Sequence, residues 1–117
     1  MKYQNKNTEA ISILSDIIKN YKNQPIEDEA LYQQAELYIK EKEYQKAVSN
    51  LEKVIAINPE GILVDDSLYH LAELYRVELN NPKTAAEYYQ KIIFAHASSI
   101  YLVEARKKYR KLRGDEI

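Results

Sequence analysis

Cysteine is absent from the 117 residues, so disulfides, thiolate metal sites and thiol nucleophiles are excluded, while the redox compartment stays open. Glycine occurs only twice and proline three times. So few interruptions, in a chain rich in Ala, Leu, Ile, Glu, Lys and Gln, leave little room for strands and predict a nearly all-helical protein. Long hydrophobic runs are missing too: the apolar runs Val54–Ile57 and Ile92–Ala95 reach four residues each, against the roughly 20 that a membrane-spanning helix needs. Met1–Asn7 carries no apolar segment of the kind a secretory leader requires, and the chain reads as soluble. Nor is there a global charge of one sign. Seventeen basic and eighteen acidic residues give a formal net charge of −1, which argues for no nucleic-acid partner.

What is present is a nine-residue stretch used twice. Ala30–Tyr38 and Ser67–Tyr75 share six of nine residues at a separation of 37. Self-similarity at such a period marks stacked helical units, each unable to bury its apolar stripe alone. The same spacing relates Ala10 to Ala47 and Ala35 to Ala72, whereas Ala47 to Ala85 is 38. The extra residue is expected in the Asn80, Asn81, Pro82 turn.

Apolar residues at steps of three and four then predict six helices. The first runs over about Thr8–Tyr21 on the stripe Ala10, Ile13, Leu14, Ile17, Ile18 and Tyr21, with Lys6, Asn7 and Thr8 offering caps. After Pro25 a second starts near Ile26, its first turn made acidic by Glu27, Asp28 and Glu29. A polar turn at Glu41–Glu43 leads to a third, carrying Ala47, Leu51, Val54 and Ile55 and ended by Asn58, Pro59 and Gly61. The fourth opens on Asp65 and Asp66 and runs to about Glu78, and the fifth begins at Pro82 and ends near His96. The sixth, Ser99–Leu112, has the stripe Leu102, Ala105, Tyr109 and Leu112 and stops at Gly114. Ala35 and Ala72, small at the centre of large-residue stripes, let antiparallel helices approach closely against Ala47 and Ala85; a larger side chain there would overpack at a cost of roughly 1–3 kcal/mol.

Aligned on these small residues, the units read Leu31, Ala35, Tyr38, Ala47, Leu51, Val54, Pro59 and Leu68, Leu71, Ala72, Tyr75, Ala85, Tyr89, Ile92. This pattern resembles the tetratricopeptide repeat over about 90 of the 117 residues. Departures are Gln34 for the family's Leu, Lys42 for its turn Gly, Ala97 near its second Pro, and a period longer than 34. The longer period and the closing Ser98–Arg106 segment are similar to bacterial envelope-associated members, which leaves cytoplasm and periplasm both open. The resemblance implies a right-handed superhelical stack of antiparallel helix pairs. Residues 8–22 would be the trailing helix of a first unit, 26–61 a second unit, 62–97 a third and 98–113 a capping helix. Without its leading partner, the first helix suggests the C-terminal part of a longer array. In repeat register the core positions become Arg106, Arg110 and Arg113 in the last helix, which no further repeat could cover.

The resemblance also implies a non-catalytic scaffold that binds a peptide or helix of a protein partner on the concave face of its first helices. By register that face carries Tyr32, Glu36, Ile39 and Lys40, with Glu29, and then Tyr69, Glu73 and Arg76, with Asp66 and Val77. Tyrosine suits an interface because it offers rigid apolar area with a polar tip, but these tyrosines could equally pack between neighbouring helices. Members that grip a C-terminal carboxylate carry Lys and Asn at the positions of Tyr32, Glu36, Tyr69 and Glu73. Acid there predicts rejection of acidic C-terminal peptides in favour of a basic or apolar guest. Self-association through Ile13, Ile17 and Ile18, as a homodimer, is the alternative.

Six cations between Arg106 and Arg113 read either as a patch for an acidic partner or as a solvated face complementing the helix dipole. Asp66, His70 and Glu73 share a helical face at steps that metal ligands use, yet no second ligand pair accompanies them, and the exposed-polar-face reading is preferred. His96 reads as a capping or packing residue. With no nucleophile constellation and no phosphate loop, neither catalysis, cofactor nor metal is expected.

Overall fold

The computed structural model describes residues 2–114, with side chains from residue 6 onward. All regular structure among them is helical: α1 (Lys2–Asn20), α2 (Pro25–Lys40), α3 (Tyr44–Ile57), α4 (Val64–Glu73) running into a π-helical turn at Leu74–Glu78, α5 (Pro82–Ala95) and α6 (Leu102–Arg113). Packing divides the chain between Leu63 and Val64 into two compact units of three helices each.

In the first unit α2 packs against both α1 and α3. Ala35 and Ala47 are completely buried at the α2–α3 contact, with Leu31, Leu51 and Val54 around them. Pro25 occupies the first turn of α2, where its missing N–H costs nothing. The acid expected to complement that helix start does something more specific. Glu27 is only 3 % exposed, and it accepts a hydrogen bond of 2.8 Å from the Asn23 N–H, pinning a residue held at φ 67°.

The α1 start differs from expectation: the helix begins at Lys2, not Thr8. No Gly or Pro opposes helix in Lys2–Asn7, and a capping side chain ends a helix only where the backbone also leaves it. Asn7 is put to another use, its Nδ2 donating to Glu41 at 2.7 Å.

Gln34, which departs from the family's Leu, is 4 % exposed and fully bonded. Its Nε2 donates to the Ile11 carbonyl at 2.9 Å and to Ser15 Oγ at 2.8 Å, and its Oε1 accepts from Asn50 Nδ2 at 2.7 Å. Asn50 also donates to the Leu31 carbonyl at 3.1 Å. A buried amide relay thus joins α1, α2 and α3, which is how a polar residue survives in a position that elsewhere holds leucine.

In the second unit, Ala72 and Ala85 are completely buried, as are Leu71, Tyr89 and Ile92 between α4 and α5. Asn80 adopts φ 50°, the left-handed turn expected of it, and Asn81 caps α5 by accepting from the Thr84 N–H at 3.2 Å. The extra residue of this repeat is not in that turn. Both units place a left-handed residue, then the N-cap, then the first helical residue: Lys42, Glu43, Tyr44 and Asn80, Asn81, Pro82. The turns are equal in length, and the surplus is taken up earlier by the π turn, where the Leu79 N–H reaches the Leu74 carbonyl at 2.8 Å, five residues back. A π turn is the local solution to one inserted residue in a helix whose two ends are held by packing.

α6 packs on α5 through Ala105, also completely buried, and begins at Leu102, not Ser99. Ser99 is held in a turn, its Oγ accepting from the Tyr101 N–H at 3.1 Å. Gly114 closes the helix at φ 93°, a conformation that favours glycine. Arg106, Arg110 and Arg113 remain exposed.

Candidate functional site

In the first unit an open groove of about 550 Å³ runs between α1 and α2. Ala10, Ile13 and Leu14 line it from α1, and Gln33, Glu36, Leu37 and Lys40 from α2. Helical spacing explains the composition: Gln33, Glu36, Leu37 and Lys40 recur at steps of three, one and three, so one strip of α2 presents apolar and charged groups together. Glu36 and Lys40 are exposed, and Ile13 keeps 60 % of its surface in water. Tyr32 and Ile39 are half-buried. The groove therefore has an aliphatic wall and a rim bearing one charge of each sign.

The corresponding residues of the second unit are arranged differently. Glu73 Oε1 accepts from Arg76 at 2.8 Å, and Oε2 accepts from Lys108 Nζ at 2.8 Å and from the Tyr89 hydroxyl. Arg76 Nε donates to the Tyr89 oxygen at 3.1 Å. Lys108 also donates to the Tyr69 hydroxyl at 2.6 Å, the Tyr69 ring stacks on Tyr101 at 4.5 Å, and the Tyr101 hydroxyl donates to Asp66. Partial burial opposes the charged form of Glu73, but the bonds from Arg76, Lys108 and Tyr89 outweigh it and hold the carboxyl at about 2. Tyr101 is pushed up to about 12, first by its bond to Asp66 and then by burial. Burial, followed by the Glu73 bond, raises Tyr89 further.

Tyr69, Glu73 and Arg76 are thus engaged within the unit, tying α4 and its π turn to α5 and α6. Glu73 stands between two cations, so its charge is already offset within the unit, whereas Glu36 is exposed. The partners Lys108, Tyr89 and Tyr101 were missed by sequence reasoning. For Lys108 a signal existed: it lies three residues after Ala105 and four before Leu112, on the inward stripe of α6.

Of the residues spaced like metal ligands, Asp66 is bonded by Tyr101 and Glu73 by its cations, and no cluster of three or more His, Asp or Glu among the described residues is placed to hold a metal ion. His96 caps α5, and its Nδ1 lies 2.8 Å from Oδ1 of Asp65, joining the end of α5 to the start of α4.

Two family models of the tetratricopeptide repeat match, one at residues 28–60 and the other at residues 66–96, which together span just over half the chain. The chain belongs to the tetratricopeptide repeat family. No curated protein matches it. Each match lies inside one of the two compact units and covers its helix pair, α2 with α3 and α4 with α5. Tetratricopeptide repeats are protein–protein interaction scaffolds, generally without catalysis, and the chain is read as such a scaffold. Two of its departures from the family have local explanations, Gln34 being satisfied by the amide relay and Lys42 taking the turn glycine's role at φ 62°, and the π turn accounts for the one residue by which the second repeat exceeds the first. No helix among the described residues is long and apolar enough to cross a membrane.

Proposed function

We propose that this scaffold binds a peptide or helix of a partner protein on its first-helix faces, and that the face built on Tyr32, Glu36, Ile39 and Lys40 does most of the binding. The carrying observation is the α1–α2 groove, which Glu36 and Lys40 of this face line together with exposed Ile13, while Tyr32 and Ile39 lie outside its lining. An amphipathic guest would bury an aliphatic side chain against Ile13, Leu14 and Leu37 and set a basic group against Glu36. On the second unit's face, Tyr69, Glu73 and Arg76 act as a preformed, charge-balanced surface, because Lys108 and Arg76 already offset the acid.

The test is fluorescence polarisation with peptides selected from a displayed random library against the whole chain. Enriched sequences should be basic and apolar, and Ile13→Asp or Glu36→Arg should weaken them about tenfold or more, since hot-spot truncations cost upward of about 1–2 kcal/mol. Selected peptides that bind both variants as tightly as the original chain would sink the proposal. So would micromolar binding of an acidic C-terminal peptide through Glu36. The exposure of Ile13 also favours a second reading, in which another copy of the chain occupies the same groove. Sedimentation over a concentration series separates the two.

A further inference from the structure

We propose that the outward face of α6 docks on an anionic lipid surface. On a helix of 3.6 residues per turn, the face opposite buried Ala105 is centred on Val103, with Lys107 and Arg110 immediately beside it and Arg106 and Lys111 at its flanks. All five are exposed. Among the described residues of α6 one acid, Glu104, borders the face, 3.8 Å from Lys107. In a chain whose formal net charge is −1, this is a local concentration of positive charge. Lys108 does not belong to it, being turned inward to Tyr69 and Glu73.

Charge alone would fit any polyanion, and two aliphatic side chains decide between them. Val103, at the centre of the cationic face, is 60 % exposed, and Ile100, in the turn just before α6, is 87 % exposed. An aliphatic group standing out among Lys and Arg, with a second exposed one in the turn before the helix, matches an interface with anionic headgroups outside and acyl chains just beneath. Single-stranded nucleic acid would instead call for stacking groups, and a duplex, held through its phosphates, would gain nothing from the two aliphatic side chains. The one aromatic of the helix, Tyr109, is half-buried and covered by Arg113, whose guanidinium sits 5.2 Å from the ring centre. The apolar stripe of α6 stays packed in its unit, so docking needs no unfolding.

Co-sedimentation of the whole chain with vesicles tests this. Binding is expected to vesicles of phosphatidylcholine mixed with phosphatidylserine and not to phosphatidylcholine alone, with release at high salt. At about fivefold per surface cation, the double variant Arg106→Gln, Arg110→Gln should lose roughly thirtyfold in partitioning. Val103→Ser should lose several-fold at unchanged charge. Circular dichroism should show both variants as helical as the original, since the altered side chains are exposed. Three results would overturn the proposal: no sedimentation with anionic vesicles, equal sedimentation with neutral ones, or a double variant that binds undiminished. An unaltered Val103→Ser variant, or polyglutamate or duplex DNA held at salt that frees the chain from vesicles, would do so as well, because each reduces the face to a general polyanion surface.

Discussion

Replacing Asn50 by leucine should destabilise the first unit, although every local rule says otherwise. In a helix, leucine is favoured over asparagine by about 0.5 kcal/mol, and a buried site rewards added apolar surface. Against this stands the amide relay. Removing Nδ2 strands Gln34 Oε1 at a site only 4 % exposed, and a buried polar atom left without a partner costs roughly 1–3 kcal/mol. The stranded atom outweighs the propensity gain, and a net loss of about 1–2 kcal/mol is expected. Gln34→Leu should cost a similar amount by orphaning an Asn50 N–H. The double variant is decisive, because it orphans neither amide. Its position 34 then carries the leucine that the second unit already has at Leu71. It should lie no more than about 1 kcal/mol below the original chain, so that the coupling energy of the cycle is about 1–4 kcal/mol. Urea unfolding followed by far-ultraviolet circular dichroism measures all four corners. A double variant as unstable as the two single losses added together would refute the relay, and a stabilised Asn50→Leu would show that propensity governs.

Ser67 Oγ is completely buried without a hydrogen-bond partner, at the position where the first unit has Ala30, so Ser67→Ala should raise stability by about 1 kcal/mol in thermal melts. Lys42→Gly should relieve the left-handed turn at φ 62°, gaining up to about 1 kcal/mol once the added freedom of the unfolded chain is subtracted. Deleting Val77, exposed in the π turn, should leave a regular α4 that still folds, by circular dichroism and melting, whereas deleting Lys42 from its minimal turn should not. Glu73 has a carboxyl depressed to about 2 in the fold, so its stabilisation is full above the ordinary value near 4.5 and is lost as pH falls from there towards 2. Since the group is 25 % exposed, the loss should be on the order of 2 kcal/mol, seen as a falling melting temperature that Glu73→Gln flattens across that pH window.

Much of the fold was legible because it follows from local periodicity. The nine-residue stretch announces its own repetition, and Ala35, Ala47, Ala72 and Ala85 stand out as small residues at the centres of large-residue stripes. Asn80 and Pro82 signal their turn by backbone preference alone. The α1 start was not legible, because Asn7 and Thr8 favour a cap over a helix interior, and that local preference is overridden where the helix continues back to Lys2. The candidate site was half legible. Glu36 and Lys40 follow from register, whereas the pairing of Glu73 with Lys108 joins residues 35 apart, and the stripe that turns Lys108 inward does not name its partner.

The sequence by itself determined the helical class, the repeat, the number of helices and the small-residue contacts between paired helices, since each depends on side-chain size or preference within a turn or two of chain. Only the tertiary structure decided where the surplus residue of the second repeat goes, which acid Lys108 meets, and how Gln34 is satisfied. The first follows from packing that holds both ends of α4 while the helix absorbs a residue, and the other two share one reason. Hydrogen bonds and charge pairs act over a few ångströms between groups distant in sequence, so their partners exist only once packing has brought the helices together.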